Sequence, residues 1–150
     1  MGKGSLRNII VINDFGFING GAAKVAISNA LELADRGIQV IFFTALGPID
    51  PRLNQHQNIN VINTNQRDIL NEGCRYKAIL QGLYNIKSAR YMKNVLSGLD
   101  QNETIIHIHG FTKALSISPI IVALLKKYSV VFTVHDYFIV CPNGAFFLYN

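Results

Sequence analysis

Charge is scarce in this sequence. Asp, Glu, Lys and Arg make up 15% of its 150 residues, against roughly 25% in an average globular protein. Apolar residues make up 49%. Together these values exclude an intrinsically disordered chain, which combines low hydrophobicity with high charge. They also imply that much of the surface is meant to be covered. Cysteine is nearly absent. Cys74 and Cys141 lie 67 positions apart and form neither a CxxC pair nor a zinc spacing, which fits free thiols in a reducing compartment. Long apolar runs are missing as well. The longest uncharged apolar stretch, Ala114 to Leu125, has 12 residues, too few to span a bilayer. The basic start, Met1 to Arg7, leads only to Ile9–Ile12 before Asn13 and Asp14, too short for a signal peptide. We therefore expect a soluble cytoplasmic protein of one-domain size.

What is present is an alternation of β-branched runs and helical stretches. Asn8 to Asn13 reads as a strand buried on both faces, as in parallel sheets. A glycine-containing loop, Phe15 to Gly21, follows. Ala22 to Arg36 has helical apolar spacing, and Gly37 ends it. Ile38–Phe43 is the second strand, Thr44–Asn58 a loop and Asn60–Asn63 a third strand. A long helix is expected from Arg75 to Leu99, a fourth strand from Glu103 to His109 and a helix from Lys113 to Tyr128, bent or restarted near Pro119. Val130–Val134 is the fifth strand. This pattern predicts an α/β fold, a Rossmann-like doubly wound parallel sheet in three layers, and right-handed crossovers give the order 3-2-1-4-5. Ligands then bind at the carboxyl ends of the strands, near the switch point between strands 1 and 4.

Several polar residues fall at those ends. Gly20 and Gly21 precede the first helix, whose amino end favours phosphate or carboxylate; a tight turn without a ligand would use the same residues. The loop is neither GxGxxG nor GxxxxGK[ST], which disfavours a nicotinamide-dependent dehydrogenase or a P-loop nucleotidase. His107 and His109 share one face of the fourth strand. No third ligand has a fitting spacing, so no metal site is expected. His107 reads as a hydrogen-bonded, largely buried side chain and His109, before Gly110, as the better ligand candidate. His135 and Asp136 read as a polar pair for a ligand hydroxyl, or as a capped strand end. Ser116 and Ser118 lack a nucleophile-elbow pattern, which argues against a hydrolase.

Net charge is +5, from 14 basic and 9 acidic residues. Between Glu72 and Asp100 there is no acidic residue, whereas Arg75, Lys77, Lys87, Arg90 and Lys93 are basic. Such an amphipathic stretch suits an anionic membrane or acceptor, with Lys87, Arg90 and Lys93 as its basic face, and equally an ordinary solvated helix face. No recognised nucleic-acid-binding module is present.

The segment from Gly20 to Ala26, then Leu31, Ala34, Arg36-Gly37 and Val40–Thr44, resembles the start of family 4 glycosyltransferases, often written GGAEKVA and LAxRGHxVxxxT. Ile106–Gly110 is similar to the family's HxHG strand, and His135–Gly144 to the HDYxxxCPxG signature of one branch. Ala23 stands where many members have glutamate, and Gln39 where histidine or glutamate is frequent. The resemblance covers about Ile9 to Tyr149 and is weakest from Gly47 to Leu99.

It implies a GT-B architecture in which residues 1–150 form the amino-terminal, acceptor-side domain of a larger two-domain enzyme, without the carboxyl-terminal donor-binding domain. The implied activity is retaining, metal-independent transfer of a sugar from a nucleotide-sugar donor to a glycan or lipid-linked acceptor, in bacterial surface polysaccharide synthesis. His135 would contact the transferred sugar as the catalytic residue. Gly20, Gly21, His109, Gly110 and Asp136 would line the substrate site. No cofactor is implied, because the nucleotide sugar is a substrate. The location would be cytoplasmic, with peripheral contact at the inner membrane face left open. The alternative is a Rossmann-like binding or interaction module without catalytic activity.

Overall fold

Asn8–Ile12 forms a strand, β1, whose alternate side chains feed two different cores. Ile10 and Ile12 pack on one side of the sheet and Ile9 and Val11 on the other, which is why the run is apolar at successive positions and not at every second one. The computed structural model describes residues 6–68 and 75–135. After β1 come α1 (Gly21–Asp35), β2 (Gln39–Thr44), α2 (Pro51–Gln55) and β3 (Ile59–Asn63). These are followed by α3 (Arg75–Leu83), α4 (Ile86–Leu96), β4 (Thr104–Ile108), α5 (Ser118–Leu125) and β5 (Ser129–Phe132). All strand pairs are parallel and the order is β3-β2-β1-β4-β5, as the sequence predicts. The fold is a Rossmann-like three-layer α/β sandwich.

Each layer follows from its apolar pattern. Ala26, Ile27, Ala30 and Ala34 of α1 meet Val11, Val40 and Phe42 on one face. Met92 and Leu96 of α4, with Ile120 and Ala123 of α5, meet Ile10, Ile12, Ile106 and Ile108 on the other. Gly37 ends α1 in the left-handed region, at φ 85°. There the N–H of Ile38 bonds to Leu33 O and that of Gly37 to Ala34 O, a Schellman closure that favours glycine.

Three expectations are corrected. The stretch from Arg75 to Leu99 is not one helix; it breaks at Tyr84-Asn85. Asn85 caps α4 by accepting from the Ser88 N–H at 3.0 Å. Its side chain also donates to Ala114 O at 2.8 Å and to Gln66 Oε1, and its backbone N–H donates to Ser116 Oγ at 2.9 Å. These partners lie far away in sequence, so helical periodicity alone could not reveal the break. The expected helix from Lys113 begins only at Ser118, after a turn in which Ser116 takes φ 60°. The loop after β2 hides α2, which starts at Pro51, is capped by the Asp50 carboxylate and buries Leu53.

Candidate functional site

β1 and β4 run side by side and end together, and the chain leaves them in different directions. This is the switch point, and a cleft of about 230 Å³ opens there. Gly20, Gly21, His109, Gly110, Lys113 and His135 are among its lining residues. Residues separated by more than a hundred positions thus meet at one site. Of the sequence candidates, Asp136 and the rest of the motif to Gly144 lie outside the described residues, as do both cysteines. Lys87, Arg90 and Lys93 are exposed on α4 and are not part of the cleft wall. Lys24 is exposed and likewise absent from it.

One wall is the amino end of α1. Gly20 occupies the cap position without a side chain to cap the helix, and the first turn carries no acidic residue. The first intrahelical bond runs from the Lys24 N–H to Gly20 O. The leading N–H groups, at Gly21 to Ala23, therefore have no partner within the helix, and the positive end of the α1 dipole faces the cleft. The fold itself does not demand either glycine. Gly20 has φ 172°, extended backbone open to any residue, and a Cβ at Gly20 or Gly21 would meet nothing within 4 Å. A side chain at either position would instead project into free space at the cleft.

Gly16, in the same loop, has a different role. A Cβ there would fall 2.4 Å from Ile49 Cδ1 and 3.3 Å from Leu46 O, and its N–H bonds to Leu46 O at 2.7 Å. Gly16 is a packing glycine; Gly20 and Gly21 are surface glycines of the cleft.

The opposite wall is histidine-rich. His109 is only 3% exposed. Its Nδ1 lies 3.0 Å from His135 Nε2, and the two rings stack at 5.3 Å. The His107 ring lies 4.2 Å from that of His109, and its Nε2 is 2.8 Å from Thr133 Oγ1. Burial, and then the neighbouring His107 and His135, push the His109 pKa down to about 3. Burial first and His135 second lower that of His107 too. His109 is therefore neutral at physiological pH and carries one ring proton. If that proton is on Nδ1 and donated to His135, Nε2 is an acceptor; if His135 donates, Nε2 is a donor. In both cases His109 Nε2 is buried with no hydrogen-bond partner among the described residues. A buried polar atom left open is costly and calls for a ligand or a water. At Gly110 the fit is close: a Cβ there would sit 3.0 Å from Asn13 Oδ1, so a side chain would push on that buried amide.

Asp14 holds the two walls together, and the sequence reading passed over it. Its buried carboxylate accepts from the backbone N–H groups of Lys113 at 2.8 Å, Ala114 at 3.0 Å and Leu115 at 2.9 Å. The residue after β1 thereby fixes the turn after β4. Burial raises the Asp14 pKa above its ordinary 3.8, against the opposing pull of the three N–H bonds. The available signal was an acid two residues behind the apolar run Ile9–Ile12. Asn13, also buried, donates from Nδ2 to Phe15 O at 2.7 Å and shapes the start of the glycine loop.

Chemically, the cleft offers a helix amino end, a buried neutral imidazole with an open nitrogen, an accessible imidazole in contact with it, and Lys113 at the rim. That set suits an anionic group with hydroxyls beside it. Among the described residues, no three His, Cys, Asp or Glu side chains group so as to hold a metal ion. No described helix is long and apolar enough to cross a membrane. The chain matches no protein-family model and no curated protein sequence.

Proposed function

We propose that this chain is the acceptor-side half of a retaining glycosyltransferase that moves a sugar from a nucleotide-sugar donor to a glycan or lipid-linked acceptor, as in bacterial surface polysaccharide synthesis. One observation carries the reading. The uncapped amino end of α1, at Gly20-Gly21, lies across a single cleft from the His109–His135 pair. These are the positions at which the sequence resembles family 4 glycosyltransferases, and they converge on the place where a doubly wound sheet binds ligands. In this reading the α1 amino end and Lys113 attract phosphate oxygens, His135 contacts the transferred sugar, and His109 Nε2 takes a hydroxyl. Stabilisation of the departing phosphate is electrostatic, from fixed dipoles and basic groups.

The cleft's size supports a shared site. At about 230 Å³ it falls below the ~300–1,000 Å³ of pockets that enclose a whole drug-sized ligand. A second α/β domain closing over it would complete the site and exclude water. The test is a transfer assay with radiolabelled nucleotide sugars. The chain alone is expected to give no transfer, and a two-domain gene product containing it is expected to transfer with retention. Transfer by the chain alone, or tight binding of a nucleotide sugar to it, would overturn the proposal.

A further inference from the structure

The loop that leads into α1 carries the pair Asn19-Gly20. Asparagine is chemically labile, most of all before glycine. The backbone nitrogen of the following residue attacks the side-chain amide carbon, and a glycine puts no Cβ in the way. A folded protein permits this where water has access, the attacking N–H is not already bonded and the asparagine amide is not already held.

All three conditions are met here. Asn19 and Gly20 are exposed, as is Ile18 before them. Among the described residues, neither the Asn19 amide nor the Gly20 N–H has a hydrogen-bond partner. Helix α1 makes no use of that N–H, because Gly20 is its cap residue and contributes only its carbonyl, to the Lys24 N–H. Asn13, earlier in the same segment, is the contrast. It is 2% exposed, and its Nδ2 donates to Phe15 O at 2.7 Å. The other Asn-Gly pair, Asn143-Gly144, lies outside the described residues. Position gives the Asn19 pair its consequence. Asn19 lines the cleft beside Gly20 to Ala23, and the first turn of α1 holds no acidic residue. A carboxylate at position 19 brings negative charge to the positive end of the α1 dipole.

We propose that Asn19 is a site of spontaneous deamidation that closes the cleft to anions. The Gly20 nitrogen bonds to Asn19 Cγ, the Cγ–Nδ2 bond breaks, and ammonia leaves carrying the Gly20 proton. The product is a cyclic imide, which water opens. Cleavage of the new C–N bond leaves aspartate at position 19. Cleavage of the original peptide bond leaves isoaspartate, with the main chain routed through Cβ and Cγ. Either product adds one carboxylate at the cleft, and the second also lengthens the backbone directly before the α1 cap. The loss of ligand rests on the anion reading of the cleft; the modification itself does not.

The experiment incubates the folded chain in mildly alkaline buffer and maps it by tryptic digestion and mass spectrometry. Cleavage after Arg7 and Lys24 isolates residues 8–24, and fragmentation separates Asn19 from Asn8 and Asn13. Conversion at Asn19, with Asn13 intact, is expected. A synthetic peptide of residues 8–24 serves as the timer. An Asn19 that stays intact in the folded chain while the peptide converts would overturn the proposal. Binding of inorganic pyrophosphate is then measured by calorimetry. The incubated chain and Asn19→Asp should bind roughly tenfold more weakly than the fresh chain. Asn19→Gln, which closes a ring far more slowly, should keep its own initial affinity through the incubation. Equal binding by fresh, converted and Asn19→Asp chains would overturn the closing of the cleft. A fresh chain that binds no pyrophosphate would overturn the anion reading and the closing with it, while the mass spectra still decide the modification.

Discussion

Removing the Asp14 carboxylate should loosen the cleft and the fold together. In Asp14→Ala, the N–H groups of Lys113, Ala114 and Leu115 lose their acceptor. A buried donor left unsatisfied costs about 1–3 kcal/mol, so three give a gross loss of about 3–9 kcal/mol. Against that stands the cost of burying the carboxylate, which is large enough to raise its pKa despite the three bonds. We expect a net loss of about 3 kcal/mol, a drop of roughly 6–12 °C in Tm for a domain of this size. Asp14→Asn should cost less. Its Oδ1 can keep the bonds from Ala114 and Leu115, but its amide nitrogen would meet the Lys113 N–H donor to donor. About 1–2 kcal/mol should be lost, giving the order wild type, Asn, Ala in urea unfolding. The pH dependence follows from the raised pKa. The native state holds this proton more tightly than the unfolded chain, so Asp14's contribution is greatest below 3.8 and declines as pH rises through the native value. The wild-type advantage over Asp14→Asn should therefore widen as pH falls towards 3.8. An Ala variant within ~0.5 kcal/mol of wild type would refute the role of Asp14 in holding the turn. An advantage that shrinks on acidification would refute the stated balance between burial and hydrogen bonding.

Other residues give independent checks. Gly21→Ala should leave stability unchanged or raise it by a few tenths to ~1 kcal/mol, because a Cβ meets nothing there and alanine favours helix, while anion binding at the cleft weakens. Asn85→Ala should cost about 2–3 kcal/mol in urea unfolding, through loss of the α4 cap and of buried bonds to Ala114 and Gln66. In NMR titration the His109 ring should remain neutral until about pH 3. Because its native pKa lies below the ordinary 6.5, the stability it contributes is present above pH 6.5 and declines as pH falls from there towards 3. A His109 midpoint near 6.5 would contradict the buried pair with His135.

The sheet order was legible because each strand is a short β-branched run and the crossovers have one allowed hand. β1 announced its central place by being apolar at consecutive positions. That Gly20, Gly21, His109 and Gly110 meet at one cleft was legible because strand ends in such a sheet point to the switch point. What escaped the reading depends on contacts between distant segments. The break at Asn85 is held by Gln66, Ala114 and Ser116. The turn before α5 is held by Asp14, about a hundred residues earlier. Gly16 and Gly20 look alike in one loop, yet only the position of Ile49 and Leu46 separates a packing glycine from a cleft glycine.

The central claim is that the cleft between α1 and the histidines receives a phosphorylated ligand. It is tested most directly by titrating the chain with inorganic pyrophosphate while following its amide and histidine ring signals by NMR. The account predicts saturable shifts at Gly21, Ala22 and Ala23, accompanied by His109 and His135, and their loss in Gly21→Val. Shifts confined to Lys87, Arg90 and Lys93, or no shift at the amino end of α1, would contradict it.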